Sequence, residues 1–387
     1  MIDLEPDGSG ALSYTREFSF PRRTGTKGES KAAQAIVRTL KELGYETVEE
    51  EFSIHPSPWV WMKGGHLLTI FFLLTIWLTY EKIPFIAFLF STLYLVGLGV
   101  WDRIWISMGR WLVSEDLSRG IRSMNISAHL PGKQEGQPLY LMAHYDSKSQ
   151  SLNLYLRTGL FLFGTLSGVL FCLGVWVHVP ILFQVFFFLS MTIHVVLICS
   201  RMGNQSEGAL DNASGVGSLL QVARVWASRA TRGVDLRFIF TGAEEMGLLG
   251  SLMFQKRRRK RMVLEEAFLI NIDSVGKKGK MRVCSSGEAG GRWLKEVVAF
   301  AREKGIDLRP LRFHQGIMMD HLPFSHLGIA SLSLTSISTE GWHVHTPRDT
   351  FSRVQPGGLA EMERLVLALI ESMATRASSP SALSSPP

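Results

Sequence analysis

Four short apolar segments, each followed by a histidine or an acidic residue, are the feature that most constrains the fold of this chain. The segments are typical of buried strands, and they lead into His144, the pair Glu244-Glu245, Asp273 and, after a loop, His345. Helical patterns lie between them. This alternation predicts an α/β fold, with a mostly parallel twisted sheet and helices on both faces. Ligands gather beyond the carboxyl ends of such strands.

A stretch of small residues around one carboxylate, Gly208–Gly215, lies between two of these strands. Asp211 is near its centre, and a helical pattern begins at Val216. Small neighbours let the backbone and ions approach closely, so a carboxylate held here can bridge two cations. A helix N-cap is the alternative, because Asp and Asn are common caps. The stretch alone favours the cap, and the strand-end residues reverse that preference because they supply further ligands on the same side.

The candidate ligands are two imidazoles and several carboxylates, without a thiolate. This set suits zinc with an open coordination position, or another divalent first-row metal. Each residue also has an ordinary explanation: His144 as a hydrogen-bonded core histidine, Glu244-Glu245 as a helix start and Asp273 as a turn residue. Their joint position at the ends of the strands favours a metal site.

Two long apolar blocks interrupt the pattern. The first consists of the runs Gly64–Tyr80 and Pro84–Val100, and the second extends from Thr158 to Ser200 with a turn at Val177–Pro180. Each run is close in length to the ~20 residues of a transmembrane helix, and aromatic residues flank the first block. Adjacent uncharged runs favour membrane spans over buried core helices. We therefore expect two transmembrane hairpins, four spans in all, embedded in a lipid bilayer.

The positive charge of the chain is local. The net charge is +7, and six basic residues form one run, Lys256–Arg261. Without this run the net charge is +1, so we expect no nucleic-acid partner. The run is predicted either to touch anionic lipid headgroups or to be a solvated helix end. The 3 cysteines do not suggest a disulfide framework or a Cys-based metal site.

Together these motifs resemble those of the co-catalytic zinc peptidases of the bacterial leucyl aminopeptidase type, whose relatives include glutamate carboxypeptidase and glutaminyl cyclase. The resemblance covers residues 20–375 apart from the apolar blocks. The matching motifs are His144-Tyr145-Asp146-Ser147, Gly208–Gly215, Ala243–Ser251, Asn271-Ile272-Asp273 and His345–Thr350. As a set they are highly specific, and they imply the fold of that family in a membrane-inserted form.

The resemblance also implies a site with two zinc ions. The implied ligands are Asp211 as the bridge, His144 and Asp273 for one ion, and Glu245 and His345 for the other. Glu244 would be the general base, and Asp146 would orient His144. Further residues expected near the ligands or the substrate are Asp320, His321, His343 and Asp349.

Spacing alone does not distinguish His343 from His345 as a ligand, because residues two apart in an extended loop point to the same side. The resemblance selects His345. The chain departs from the family pattern at Leu210, where a second Asp is common, and in the apolar blocks, one of which separates His144 from Asp211. Each hairpin must return the chain to where it left, so the catalytic mouth is expected near the bilayer surface.

The implied activity is that of an exopeptidase, in the first place an aminopeptidase that hydrolyses N-terminal peptide bonds. Glu244 would take a proton from water and deliver it to the leaving amine. A carboxypeptidase or a glutaminyl cyclase is the first alternative, and cyclase chemistry uses a single zinc. A binding protein on a peptidase scaffold is the second, which the complete ligand set disfavours. A transporter is disfavoured because the spans contain almost no polar residues.

These patterns divide the chain into a peptidase domain in three parts, two membrane hairpins and a tail. The domain parts are 1–63, 101–157 and 201–375, the hairpins 64–100 and 158–200, and the disordered tail 376–387. Residues 1–27 are expected to be extended.

Basic residues near the ends of the spans predict the membrane orientation. They are Lys63, Arg103, Arg110, Arg157 and Arg201 on the domain side and Lys82 on the other. The positive-inside rule then places the domain and both termini in the cytoplasm, and the N-terminus has no secretory-signal pattern.

Overall fold

The structure, a computed structural model, describes residues 6–55, 58–131, 136–229, 234–278, 281–311 and 318–377. The strands are β1 (Glu46–Ile54), β2 (Val113–Ser114), β3 (Ile121–His129), β4 (Gln137–His144), β5 (Ser149–Gln150), β6 (Met202–Gly203), β7 (Val234–Thr241), β8 (Phe268–Ile272), β9 (Met281–Ser285), β10 (Arg309–Pro310) and β11 (Ala330–Ser336). The helices are α1 (Ser9–Phe18), α2 (Lys27–Glu42), α3 (Pro58–Thr79), α4 (Pro84–Gly99), α5 (Trp101–Leu112), α6 (Leu154–Trp176), α7 (Pro180–Cys199), α8 (Ser214–Ser228), α9 (Leu249–Leu264), α10 (Gly287–Glu303), α11 (Leu322–Ser325) and α12 (Pro356–Ala377).

The central sheet is mixed. Within the described residues it has nine strands in the order β10-β9-β11-β8-β4-β7-β3-β1-β2, and β5 pairs with β6 separately. The four central strands β11, β8, β4 and β7 run parallel. Antiparallel pairs flank them on both sides, through β9 and through β3 and β1. The α/β prediction is confirmed, and the parallel strands are those whose carboxyl ends carry the expected ligands.

The sheet is covered on both faces, which explains the uninterrupted apolar run of β4. Leu139 and Leu141 belong to the main core, which also contains residues of α1, α2, α8 and α12. Tyr140 and Met142 point to the opposite face and pack with Phe254 of α9. A strand buried on both faces has no polar alternation, as expected in the parallel part of a sheet.

The N-terminal segment is not extended, so that prediction is wrong. Residues Ser9–Phe18 form α1, which packs against α8. The contact is close: a Cβ at Gly217 of α8 would lie 2.6 Å from the carbonyl oxygen of Ala11. The Gly, Ser and Thr residues of this segment have weak helix propensity, and packing against α8 overrides it.

The apolar helices α3, α4, α6 and α7 pack against one another. Their shared core is aromatic and aliphatic, with Leu73, Phe171 and Phe183 buried in it. Their outer surface is also apolar, and Phe85 is 74% exposed. An apolar exterior of this size is unusual for a domain surrounded by water and fits a surrounding of lipid.

The lengths of these helices do not support four spans. Within the described residues, α6 with 23 residues and α7 with 20 are long and apolar enough to cross a membrane. The pair α4 and α5 counts as a third only if it is one span bent by 74°, and the apolar part of α3, Lys63–Thr79, is a shorter helix. The turn after Thr79 and the bend at Val100 shorten the first block, because a helix of 16 residues reaches only ~24 Å.

The basic run Lys256–Arg261 lies in α9, where much of its charge is paired within the protein. Arg257 lies 3.2 Å from Glu115, Arg258 lies 2.9 Å from Glu50, and Arg261 lies 2.6 Å from Glu265. These pairs favour a solvated helix end over a lipid-binding patch.

The predicted tail begins later than expected. The helix α12 extends to Ala377, past the predicted start of the tail at 376, and residues 378–387 lie outside the described part.

Candidate active site

Six predicted site residues converge beyond the carboxyl ends of the central strands. His144 is the last residue of β4, Glu244 and Glu245 follow β7, Asp273 follows β8, Asp211 precedes α8, and His345 lies in the loop after β11; all six are buried. They form two groups, His144 with Glu244 and Asp273, and Asp211 with Glu245 and His345, and within each group the donor atoms lie within 4.8 Å of one another.

Asp211 lies between the two histidines. Its Oδ1 is 3.1 Å from Nε2 of His144, and its Oδ2 is 3.0 Å from Nε2 of His345. Asp273 approaches the first imidazole, at 3.7 Å, and Glu245 approaches the second, at 3.2 Å. One carboxylate therefore presents a separate oxygen to each half of the site, which is the arrangement that a bridging ligand needs.

Several buried polar atoms of the site have no hydrogen-bond partner among the described residues. They include both ring nitrogens of His144, both ring nitrogens of His345 and Oε1 of Glu245. Buried polar atoms are normally hydrogen-bonded, because leaving them unpaired is costly. Imidazole nitrogens and carboxylate oxygens grouped in this way fit a pair of zinc-like cations.

The electrostatics of the site favour positive charge. Burial opposes ionisation of Asp211, but the close imidazoles of His144 and His345 outweigh burial and lower the pKa of Asp211 well below its ordinary value. Burial likewise opposes a charged His144, yet Glu244 and the carboxylates around it raise its pKa well above the ordinary value. A cluster of carboxylates in a dry site thus stabilises cations next to it.

The two adjacent glutamates differ. Burial, together with the charges of Glu245, Asp320 and Asp273, raises the pKa of Glu244 well above its ordinary value. Burial alone would also raise the pKa of Glu245, but His345 and Lys148 outweigh it and lower that pKa to about 2. Glu244 is therefore suited to exchange a proton, and Glu245 is suited to remain an anionic ligand.

Asp146 connects the two strand ends that carry these groups. Its carboxylate accepts hydrogen bonds from the backbone N–H groups of Glu244 and Glu245, at 3.1 and 3.2 Å, and from the hydroxyl of Thr24, at 2.9 Å. Its Oδ1 lies 3.5 Å from Nδ1 of His144. Asp146 therefore fixes the turn that follows β7, and its carboxylate lies beside the imidazole of His144.

Asp349 supports the loop of Asp211. Its carboxylate accepts hydrogen bonds from the backbone N–H groups of Leu210, at 2.8 Å, and Asp211, at 3.3 Å, and burial raises the pKa of Asp349 to about 7. On the other side, the side chain of Asn212 donates to the carbonyl of Ile272 at 2.9 Å. The loop is thus tied both to the segment after His345 and to the end of β8.

The three remaining predicted residues have different surroundings. Asp320 is buried, accepts a hydrogen bond from Thr241 at 2.5 Å, and its pKa is raised to about 6 by burial. His321 is held by Ser333, with 2.7 Å between Nδ1 and Oγ. His343 is partly exposed beside Glu340, at 4.0 Å, and does not join either ligand group.

Two basic residues of the site have no signal in the sequence. Arg22 is fully buried, and its guanidinium donates to the carbonyls of Tyr145 at 2.6 Å and Gly208 at 2.8 Å. It therefore holds together the loops that carry His144 and Asp211. Lys148 is buried with its Nζ 2.5 Å from Oε2 of Glu245. Neither residue belongs to a spacing pattern, because both act through contacts between distant segments.

Comparison with proteins of known structure supports the same fold. BSAP, a zinc aminopeptidase from Bacillus subtilis, superposes with a TM-score of 0.56 at 18% identity, over 96% of this chain and 95% of that one. Porphyromonas gingivalis glutaminyl cyclase superposes with a TM-score of 0.53 at 16% identity, over 94% and 98% of the two chains. At this level of identity the likeness concerns the fold.

Sequence comparison identifies the family. Aminopeptidase YwaD of Bacillus subtilis (strain 168) is 31% identical over 173 residues, which are 43% of this chain and 37% of that protein. The chain thus spans well under half of the length of this relative. The model of peptidase family M28 matches residues 125–370, a range that contains both candidate ligand groups. The chain therefore belongs to peptidase family M28.

Proposed function

We propose that the protein is a zinc-dependent exopeptidase that removes N-terminal residues from peptides. The observation that carries the proposal is the position of Asp211, whose two oxygens face His144 and His345 in two separate buried ligand groups. Such a pair of sites fits two ions and not one. This favours a peptidase over a glutaminyl cyclase with a single zinc.

The distances within the site support the ligand roles that the family resemblance implies. Asp211 would bridge the ions, His144 and Asp273 would complete one site, and Glu245 and His345 the other. When bound, the ions supply Lewis acidity that polarises the scissile carbonyl and acidifies water. Other divalent first-row metals offer related chemistry at such ligands.

The chain itself supplies the proton transfer. Glu244 takes a proton from the attacking water and passes it to the leaving amine, for which its raised pKa is suited. Asp146 keeps Glu244 in place through the backbone N–H of that residue, and the same carboxylate orients His144. Asp349 holds the loop of Asp211 through two backbone N–H groups.

Relatives support the aminopeptidase assignment. YwaD and BSAP are both named aminopeptidases.

The direction of cleavage can be tested with a peptide library. The library is digested with the purified protein, and both ends of each product are sequenced. We expect single residues to be released from the N-terminus. Release from the C-terminus would contradict the proposal and favour a carboxypeptidase.

We also propose that the peptidase domain is anchored in a membrane through α6 and α7. The lengths of these helices and the apolar exterior of their bundle support this anchoring. A hairpin returns the chain to the same side, and the basic residues Arg157 and Arg201 at its ends favour the cytoplasm for the domain and both termini. A reporter fused after Pro387 tests the orientation: alkaline phosphatase activity from that fusion would contradict it.

A further inference from the structure

One cation near the candidate active site has no hydrogen-bond or ion-pair partner in the part of the chain that the structure describes. Arg157 lies near the start of α6, and its Nε is buried without a hydrogen-bond partner among the described residues. Within the same residues it forms no ion pair at 4.0 Å or less. Arg157 as a whole is partly exposed. Its Nε has therefore lost water without gaining a hydrogen bond, while the rest of the guanidinium is free to bind a ligand.

The start of α6 is fixed against the loop that carries His345. The backbone N–H of Leu154 donates to the carbonyl of Val344 at 3.4 Å, and the hydroxyl of Tyr155 donates to the carbonyl of Ser338 at 2.5 Å. The ring of Tyr155 also packs edge-on against Trp342, with 5.4 Å between centroids. The segment that bears Arg157 is therefore a wall of the site.

Arg157 lies within electrostatic range of the site carboxylates Asp211, Glu244 and Glu245. These carboxylates already have partners. Asp211 faces the two histidines, and Glu245 is paired with Lys148 at 2.5 Å. With metal ions bound, these carboxylates would be less available to balance the positive charge of Arg157.

The other neighbour of Arg157 supplies no negative charge. His66 of α3 lies within electrostatic range of Arg157, and Nδ1 of His66 is 3.0 Å from Nδ1 of His194. The cation thus has an apolar bundle and a pair of imidazoles on one side. Its other charged neighbours are the carboxylates of the candidate active site.

We propose that Arg157 binds a carboxylate of the peptide substrate. A guanidinium is suited to this ligand, because its planar fork matches a carboxylate with two hydrogen bonds. The carboxylate is either the C-terminus of a short peptide or an acidic side chain of a longer one. Arg157 is then a residue that determines specificity, and the proposal rests on the peptidase function given above.

Three substrates separate the two sources of the carboxylate. They are the dipeptide Leu-Gly, its amide Leu-Gly-NH2, and Leu-Asp-NH2, which has only a side-chain carboxylate. Hydrolysis by the full-length protein in detergent is measured with each. We expect one carboxylate substrate to exceed Leu-Gly-NH2 in kcat/KM by about ten- to a hundredfold, through KM, which is the effect of a hydrogen bond to a charged group.

Variants assign that preference to Arg157. Arg157→Gln should abolish this preference, because it lowers kcat/KM for the preferred carboxylate substrate much more than for Leu-Gly-NH2, and Arg157→Lys should keep part of the preference. Arg201→Gln is the matched control, because Arg201 is an exposed residue at the end of the same hairpin. Calorimetry with the Glu244→Gln protein gives a second readout: the preferred carboxylate peptide should bind more tightly than Leu-Gly-NH2, and Arg157→Gln in that background should remove the difference.

Two results overturn the proposal, and they have different meanings. Equal kcat/KM for all three substrates in the wild type, or an equal loss for all three in both Arg157 variants, would show that Arg157 binds no substrate carboxylate. Failure of the wild type to cleave any of the three would instead overturn the exopeptidase function itself, and the carboxylate site with it.

Discussion

Charged residues lie at both ends of strands β4 and β7, but they are paired to different degrees. At the amino end, Arg237 is paired with Asp235 and with Glu265, the latter at 3.1 Å, and Arg261 also reaches Glu265. At the carboxyl end, carboxylates and imidazoles crowd together. There the ring nitrogens of His144 lack hydrogen bonds within the described residues.

Charges with a structural role and charges with a proposed functional role differ in how completely they are paired. Charges at the amino end are satisfied by one another, so they need no further group. Charges at the carboxyl end are buried and incompletely paired, which fits the proposed binding of cations and a substrate there. The basic run Lys256–Arg261 belongs to the first class, because most of its arginines have acidic partners.

The largest effect is expected at the carboxyl end from Glu244→Gln. Loss of a general base typically slows a reaction by about 10²–10⁴-fold, and the amide keeps the size of the side chain. Bound zinc should stay the same, because Glu244 is proposed as a base. Peptide hydrolysis and metal content are measured on the same sample, and a variant that loses zinc would mean that the roles of Glu244 and Glu245 are reversed.

The next effect distinguishes His345 from His343. His345→Ala should remove one metal and most of the activity, because Nε2 of His345 is 3.0 Å from Asp211 and 3.2 Å from Glu245. His343→Ala is the matched control, since that imidazole lies beside Glu340 outside both groups. Elemental analysis decides between them: loss of one zinc in His343→Ala alone would reverse the assignment.

A smaller effect of another kind is expected at the amino end. Arg237→Gln should reduce the free energy of unfolding by about 1–3 kcal/mol, because Asp235 and Glu265 lose a charged hydrogen-bond donor. Hydrolysis of Leu-Gly-NH2 should be unchanged. Arg309→Gln provides the control, because its pair with Asp307 is exposed and contributes little. A large loss of activity in Arg237→Gln would contradict the claim that the charges at the amino end have only a structural role.

The smallest effect concerns a buried acid far from the site. Oε1 of Glu363 has no hydrogen-bond partner among the described residues, and burial raises the pKa of Glu363 from 4.5 to about 8. The unfolded chain loses this proton first, so the contribution of Glu363 to stability should fall as the pH rises from about 4.5 to about 8. Melting temperatures of the wild type and Glu363→Gln are compared across that range. A difference that does not change with pH would contradict this assignment.

The sequence predicts well which residues meet at the carboxyl ends of the parallel strands, for a physical reason. His144, Asp273 and the Glu244-Glu245 pair each follow an apolar strand directly, so strand order alone brings them to one edge. The parallel pairing of β4 with β7 and β8 confirms that reasoning. The assignment of each ligand to one of two ions remains a prediction.

What the sequence could not predict depends on contacts between distant segments. Arg22 is 123 residues from Tyr145, whose carbonyl it binds, and no local pattern indicates such a bond. The helix α1 forms because α8 packs against it. Hydropathy overestimates the number of membrane spans, because it does not show where α4 ends and bends into α5.

The zinc content of the purified protein tests the central claim, that Asp211 joins two metal sites at the carboxyl end of the sheet. Elemental analysis is carried out on the wild type and on Asp211→Asn, with Asp235→Asn as a control from the amino end. We predict two zinc ions per chain in the wild type and in the control, and a loss from both sites in Asp211→Asn. One ion in the wild type, or two ions retained in Asp211→Asn, would contradict the claim.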